Sequence, residues 1–97
     1  MVSEQSLTKR IMRTLNSIEG VKAIKFHGSV YGEAGTPDII GCVDGRMFLI
    51  EVKAGKNALS PIQERRLIEW AVAGAPSRVA REDFDVKAFV LFVREKP

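Results

Sequence analysis

Two acids and a lysine flank the strongest turn signal in the chain. Asp44-Gly45, set between apolar runs, is the signature of a two-residue hairpin turn. With Val43 paired to Arg46, Asp38 falls opposite Glu51. Side chains alternate along a strand, so Asp38, Ile40 and Cys42 share a face with Met47, Leu49, Glu51 and Lys53. Opposed Cβ atoms lie about 4.5–5.5 Å apart, where like charges repel. A hard divalent cation with oxygen ligands would relieve that repulsion. Lys53 would then neutralise the pair, or hold a water or phosphate oxygen beside the metal. The plain alternative is a solvated surface hairpin in which Lys53 bridges the acids. Ile39-Ile40 and Phe48-Leu49-Ile50 weigh against it. Such runs belong to a mostly buried sheet, where carboxylates need compensation.

Two further polar residues stand where a site residue would. Glu4 lies seven residues before Ile11, about 20° off the same helical direction at ~100° per residue, so it continues the apolar stripe Leu7, Ile11, Leu15. An acid there is either a partner of the helix dipole or a site residue. Gln63 shares a helix face with Leu67, Trp70 and Ala71 and stands three residues after Ser60. It either completes a capping box or serves a site. Cys42 sits in the run IIGCV, where a small buried hydrophobe is expected rather than a nucleophile. His27, at the end of an expected strand, reads as a structural or surface residue. With one cysteine and one histidine the chain builds neither an intramolecular disulfide nor a Cys/His zinc site. The lone cysteine fits a reducing cytosol.

The elements that must position these residues can be read in order. Ser3 caps a first helix that runs to about Ile18 and ends at Gly20. Val21 to His27 alternates as a strand. The segment GSVYGEAGTP is a glycine-rich loop, expected to be mobile without a ligand, and it delivers the chain into Asp38. Asp38–Val43 and Arg46–Ala54 form the hairpin. Ser60, Pro61 and Gln63 open a second helix that runs to about Ala73. Ser77–Arg81 is a short strand. EDFDVKAFVLFV is apolar on all sides and reads either as a strand or as a buried helix opened by Glu82 and Asp83. Ninety-seven residues make one domain, 1–97. No apolar run is long enough to span a membrane, and the N-terminus lacks a secretory h-region. Fifteen Lys+Arg against 12 Asp+Glu permit a polyanionic partner without requiring one.

Gly35-Thr36-Pro37-Asp38, Glu51-Val52-Lys53, Leu59-Ser60-Pro61-Ile62-Gln63 and Gly74-Ala75 together resemble the VRR-NUC branch of the PD-(D/E)XK nuclease superfamily, in its small stand-alone phage and bacterial form. The likeness spans about Glu4 to Val79. Ala75 departs from the pattern, since a second glycine is common there; that concerns a helix-terminal turn. The resemblance implies an α/β fold, a restriction-endonuclease-like core whose central mixed β-sheet is flanked by helices. It tilts the tail towards a helix. It implies Mg²⁺- or Mn²⁺-dependent hydrolysis of DNA phosphodiesters in the cytoplasm of a bacterium or phage-infected cell. Asp38 and Glu51 would be metal ligands, with the backbone carbonyl of Val52 as an extra one. Lys53 would orient or activate the attacking water. Glu4 would be the upstream acid near the metal and a possible ligand, and Gln63 the helical glutamine beside it.

Stand-alone members of this family look like resolvases of four-way (Holliday) junctions, which makes branched DNA the expected partner. Symmetric cutting of two strands needs two sites, hence a homodimer. Part of the apolar tail Val86 to Val93 would cover its interface. The rivals are a flap or nicking nuclease, and a non-cleaving module that binds branched DNA. Candidate phosphate contacts are Lys9, Arg10, Arg13, Lys25, Lys56, Arg65 and Arg66. Tyr31, in the glycine-rich loop, would stack on an unpaired base or on sugar at a branch point.

Overall fold

The computed structural model describes residues 2–26 and 32–96. The calls on His27 and Tyr31, and on much of the glycine-rich loop, lie outside the described residues. Helix α1 (Glu4–Ser17) opens on Ser3, whose side chain accepts from the Ser6 amide. Its stripe Leu7, Ile11, Leu15 is buried, and Ile18 packs against the same core. Strands β1 (Val21–Lys25), β2 (Ile39–Val43) and β3 (Arg46–Val52) follow. Helix α2 (Pro61–Val72), strand β4 (Ser77–Ala80) and helix α3 (Val86–Glu95) complete the order.

The four strands run β1-β2-β3-β4 across one sheet. The first two pairings are antiparallel and β3–β4 is parallel. A parallel pair needs a crossover, which α2 supplies. The hairpin register is the one expected: Val43 opposes Arg46 and Ile39 opposes Ile50. Asp44 and Gly45 both have positive φ, 52° and 78°, as a type I′ turn requires.

One face of the sheet carries Ala23, Ile39, Val43, Phe48, Ile50 and Val52, buried under α1 and α3. The opposite face carries Leu49 and Glu51, both buried, beneath α2. Because α2 lies on the β3–β4 half of that face, the β1–β2 half stays open. Ile24 is 52% exposed there. This corrects the expectation for Cys42, which is exposed. The residue has the apolar neighbours of a core cysteine, but it points to the uncovered half of the sheet, between Lys22 and Met47.

The ambiguous tail is a helix. Its N-cap is Asp85, whose carboxylate accepts from the Ala88 amide, so Glu82 and Asp83 do not open it. Val86, Phe89, Val90 and Val93 are buried, while Leu91 and Phe92 remain exposed. The tail looks apolar all round because its outer face is also partly apolar. No helix among the described residues is long and apolar enough to cross a membrane.

Candidate active site

The hairpin brings Asp38 and Glu51 together at the end of the sheet remote from the turn. Asp38 stands one residue before β2 and its Oδ2 accepts from the Val52 amide at 2.8 Å. Pro37, the residue that would face Val52 in the continued register, has no N–H. Within a ladder a residue's N–H and C=O point to the same neighbour. In the continued register the Val52 carbonyl faces Pro37, which has no N–H to donate to it.

Glu51 is the unusual member. It is 2% exposed, and its Oε1 has no hydrogen-bond partner among the described residues. Burial, foremost, together with the hydrogen bond and the charge of Asp38, pushes its pKa up to about 9. Lys53 pulls in the other direction without overcoming these effects. At neutral pH the Glu51 carboxyl therefore keeps a proton next to Asp38. A buried acid with an unsatisfied oxygen costs free energy that no packing argument recovers. An oxygen-seeking cation in place of the proton would satisfy that atom. The donor set of Asp38, Glu51 and the Val52 carbonyl is all oxygen, as a hard divalent ion prefers. Among the described residues no group of three or more His, Cys, Asp or Glu side chains is arranged to hold a metal.

Glu4 reaches the same end of β3 without joining that pair. Its Oε2 accepts from Asn57 Nδ2 at 2.7 Å and from the Ala54 amide at 3.3 Å. The Asn57 bond, chiefly, holds its pKa below the ordinary carboxylate range, helped by Ala54, Lys53 and Arg81. Asn57 was not legible as a site residue, because it lies in a short polar connector. The turn it closes is fixed from the other side as well. The Gly55 amide donates to Glu82 Oε1 at 2.8 Å, and Arg81 donates to the Gly55 carbonyl at 2.9 Å. The chain leaving Lys53 is thereby anchored to α1 and to the end of β4. Ser3, Glu4, Ala54, Lys56 and Asn57 are among the residues lining a shallow cavity of about 390 Å³ there.

The start of α2 is tied to the loop before Asp38. The Ser60 amide donates to Gln63 Oε1 at 2.9 Å and the Gln63 amide to Ser60 Oγ, so the capping box is formed. The Gln63 oxygen is engaged in that cap. Gly35 has φ +79°, and a Cβ there would lie 2.9 Å from the Ile62 carbonyl oxygen. Only glycine permits this approach of the Gly-Thr-Pro-Asp segment to the Leu-Ser-Pro-Ile-Gln segment. Arg66 reinforces it, pairing with Glu33 at 2.7 Å and donating to the Ala34 carbonyl at 3.1 Å.

Compared with protein-family models and with curated proteins, the chain matches none. Among solved structures it is similar to a VRR_NUC domain protein, with a TM-score of 0.72 and 18% identity over 96% of this chain and 88% of that one. A second VRR_NUC domain superposes with a TM-score of 0.70 and 21% identity over 97% of each chain. The chain has the fold of a VRR-NUC domain. The Holliday junction resolvase Hjc of Archaeoglobus fulgidus is a further neighbour, at a TM-score of 0.61 and 22% identity, covering 86% of this chain and 77% of that one. The VRR-NUC resemblance carried by the short motifs therefore extends to the whole sheet and its helices.

The basic residues distribute unevenly on this VRR-NUC fold. Lys9, Arg13, Lys25 and Lys56 are exposed. Arg10 donates to the Glu82 carbonyl at 2.8 Å, and Arg65 pairs with Glu69 at 3.4 Å. Arg66, with only 19% of its side chain exposed, is held by Glu33 and Glu69.

Proposed function

We propose that the chain is a metal-dependent, structure-specific DNA endonuclease of VRR-NUC type that hydrolyses phosphodiesters, with four-way junctions as its substrate and a homodimer as its working form. The observation that carries the reading is Glu51. A buried carboxyl with an unpartnered oxygen, set against a second carboxylate and beside a lysine, is costly for folding and suited to a cation. The fold neighbour described as a Holliday junction resolvase supports the choice of branched DNA.

Asp38, Glu51 and the Val52 carbonyl would hold Mg²⁺ or Mn²⁺. Bound there, the ion would offset phosphate charge and lower the pKa of a water. Lys53 supplies a positive charge without competing as a ligand; its role is to orient the attacking water and to counter the charge that develops on phosphorus oxygens. Glu4, whose ionised form the Asn57 hydrogen bond favours, would take part through water at the rim. Gln63 caps the start of α2, and its amide nitrogen would be the group left for substrate or water. Lys9, Arg13, Lys25 and Lys56, all exposed, would meet phosphates.

A cleavage panel tests this. Four-way junction, flap, single-stranded and duplex DNA are each incubated with Mg²⁺, Mn²⁺ or EDTA. Junction cleavage that EDTA abolishes is the expected result. Preferred cutting of flaps or nicking of duplex would move the substrate. Tight junction binding with no cutting under any ion would leave a binding module instead.

A further inference from the structure

Glu4 spends one carboxylate oxygen on the protein and keeps the other. It is the first residue of α1, a helix whose cap is already supplied by Ser3. Its carboxylate meets instead the connector that follows β3. Asn57 Nδ2 and the Ala54 amide both donate to Oε2, at 2.7 and 3.3 Å. Among the described residues no protein donor reaches Oε1. The charge of Glu4 is felt at Glu51, and that of Lys53 at Glu4, so the three share one electrostatic site.

The two donors sit on a turn that is held from several sides. The Asn57 amide closes it by donating to the Ala54 carbonyl at 3.2 Å. Gly55 lies inside it with φ 58°. Both backbone groups of Gly55 are taken by consecutive side chains after β4: its amide donates to Glu82 and its carbonyl accepts from Arg81. Arg10 of α1 donates in turn to the Glu82 carbonyl. Just ahead of the turn the Lys53 amide donates to the Ala80 carbonyl at 3.0 Å. Asn57 is thereby fixed relative to Lys53 and β3.

None of these bonds uses the Asn57 side chain. The backbone closes the turn, and the carboxamide crosses to an acid 53 residues earlier in the chain. That bond is exposed, where water can replace it, so it adds little to the stability of the fold. What it does fix is the orientation of a carboxylate. An amide N–H suits that task, because it is a neutral donor that does not compete for a cation. Hydrogen-bond partners of this kind orient the ligands of metal sites.

We propose that Asn57 is a positioning residue of the cation site: with the Ala54 amide it engages Glu4 Oε2, and it leaves Oε1 as the oxygen that Glu4 presents to a divalent cation. The proposal rests on the metal-dependent reading given above and assigns the orientation of Glu4 within it. Mn²⁺ titrations without DNA, followed by the electron paramagnetic resonance of the free ion, compare wild type, Asn57→Ala, Glu4→Gln and the double variant. Urea unfolding in EDTA accompanies each. Asn57→Ala should weaken Mn²⁺ binding by about tenfold or more at an unchanged urea midpoint. Glu4→Gln should weaken it at least as much, since it keeps an oxygen for the two donors and sets an NH₂ in place of Oε1. The double variant should bind as Glu4→Gln does, because Asn57 acts only through Glu4. Losses that multiply in the double variant would overturn the proposal. So would an Asn57→Ala variant that binds Mn²⁺ like wild type, or one whose urea midpoint falls in step with its affinity. A wild type that binds no Mn²⁺ would overturn the cation site and this assignment together; one that binds Mn²⁺ whatever stands at position 57 would refute the assignment and leave the proposed function standing.

Discussion

Glu51→Gln should stabilise the metal-free protein while removing its activity, and the gain should grow with pH. The folded state holds the Glu51 proton with a pKa of about 9, against 4.5 for an ordinary glutamate. Below pH 4.5 both folded and unfolded chains are protonated, and the raised pKa costs nothing. Between about 4.5 and 9 the unfolded chain releases the proton and the folded chain keeps it. Stability therefore falls as pH rises through that window, by about 1.4 kcal/mol per unit for one proton. From pH 5.5 to 8.5 the loss is about 4 kcal/mol at most, with relaxation around the site reducing it. A carboxamide at position 51 does not titrate, and its NH₂ can donate to Asp38. Urea unfolding in EDTA at pH 5.5, 7.0 and 8.5 measures the difference between the two proteins. It should widen with pH in favour of the variant. Mg²⁺ should raise the stability of wild type, more so at high pH where the departing proton is cheap, and leave the variant unmoved. Parallel pH profiles would show that Glu51 is ionised or solvated in the folded state, and the argument for a cation at that oxygen would fall.

Four other outcomes follow from the structure. Asp38→Asn should keep the hydrogen bond from the Val52 amide, and so the fold, yet lower junction cleavage by at least about a hundredfold; a near-normal rate at saturating Mg²⁺ would remove Asp38 from the site. Lys53→Met should lose cleavage to a similar extent but retain Mn²⁺ binding by calorimetry, since lysine is not a ligand. Gly35→Ala should cost about 1–3 kcal/mol in urea unfolding, because it combines a positive φ with a collision against the Ile62 backbone. Cys42 should react with a thiol reagent in the native protein at close to its rate in urea, and protection would mean that something covers the open half of the sheet.

The hairpin that holds the acids was legible because a two-residue turn and an alternating pattern fix register by arithmetic. Ser60 and Gln63 were legible as a cap for a comparable reason: their interaction is local. Two things were not. Burial of Cys42 depends on which half of the sheet α2 covers, and no run of neighbours encodes that. The grip of Asn57 on Glu4 joins two polar segments 53 residues apart, with no periodic pattern to announce it. The tail was ambiguous because period 2 and period 3.6 cannot be separated when both faces are apolar; Asp85, a good N-cap, was the signal available.

Among the site contacts that join separate elements, the one across the hairpin has a short path to closure. Asp38 reaches Val52 across 14 residues, whereas Glu4 reaches Ala54 across 50 and Arg10 reaches Glu82 across 72. Short loops close at lower entropic cost, and hairpins form in about 1–10 μs. The two carboxylates therefore meet early, while water still screens them, and they are stripped of that water only when α2 settles over β3. Their repulsion belongs to the late docking step, not to the turn. Refolding should accordingly slow as pH rises from 5.5 to 8.5, and regain speed with Mg²⁺, while the earliest hairpin signal keeps the same rate throughout.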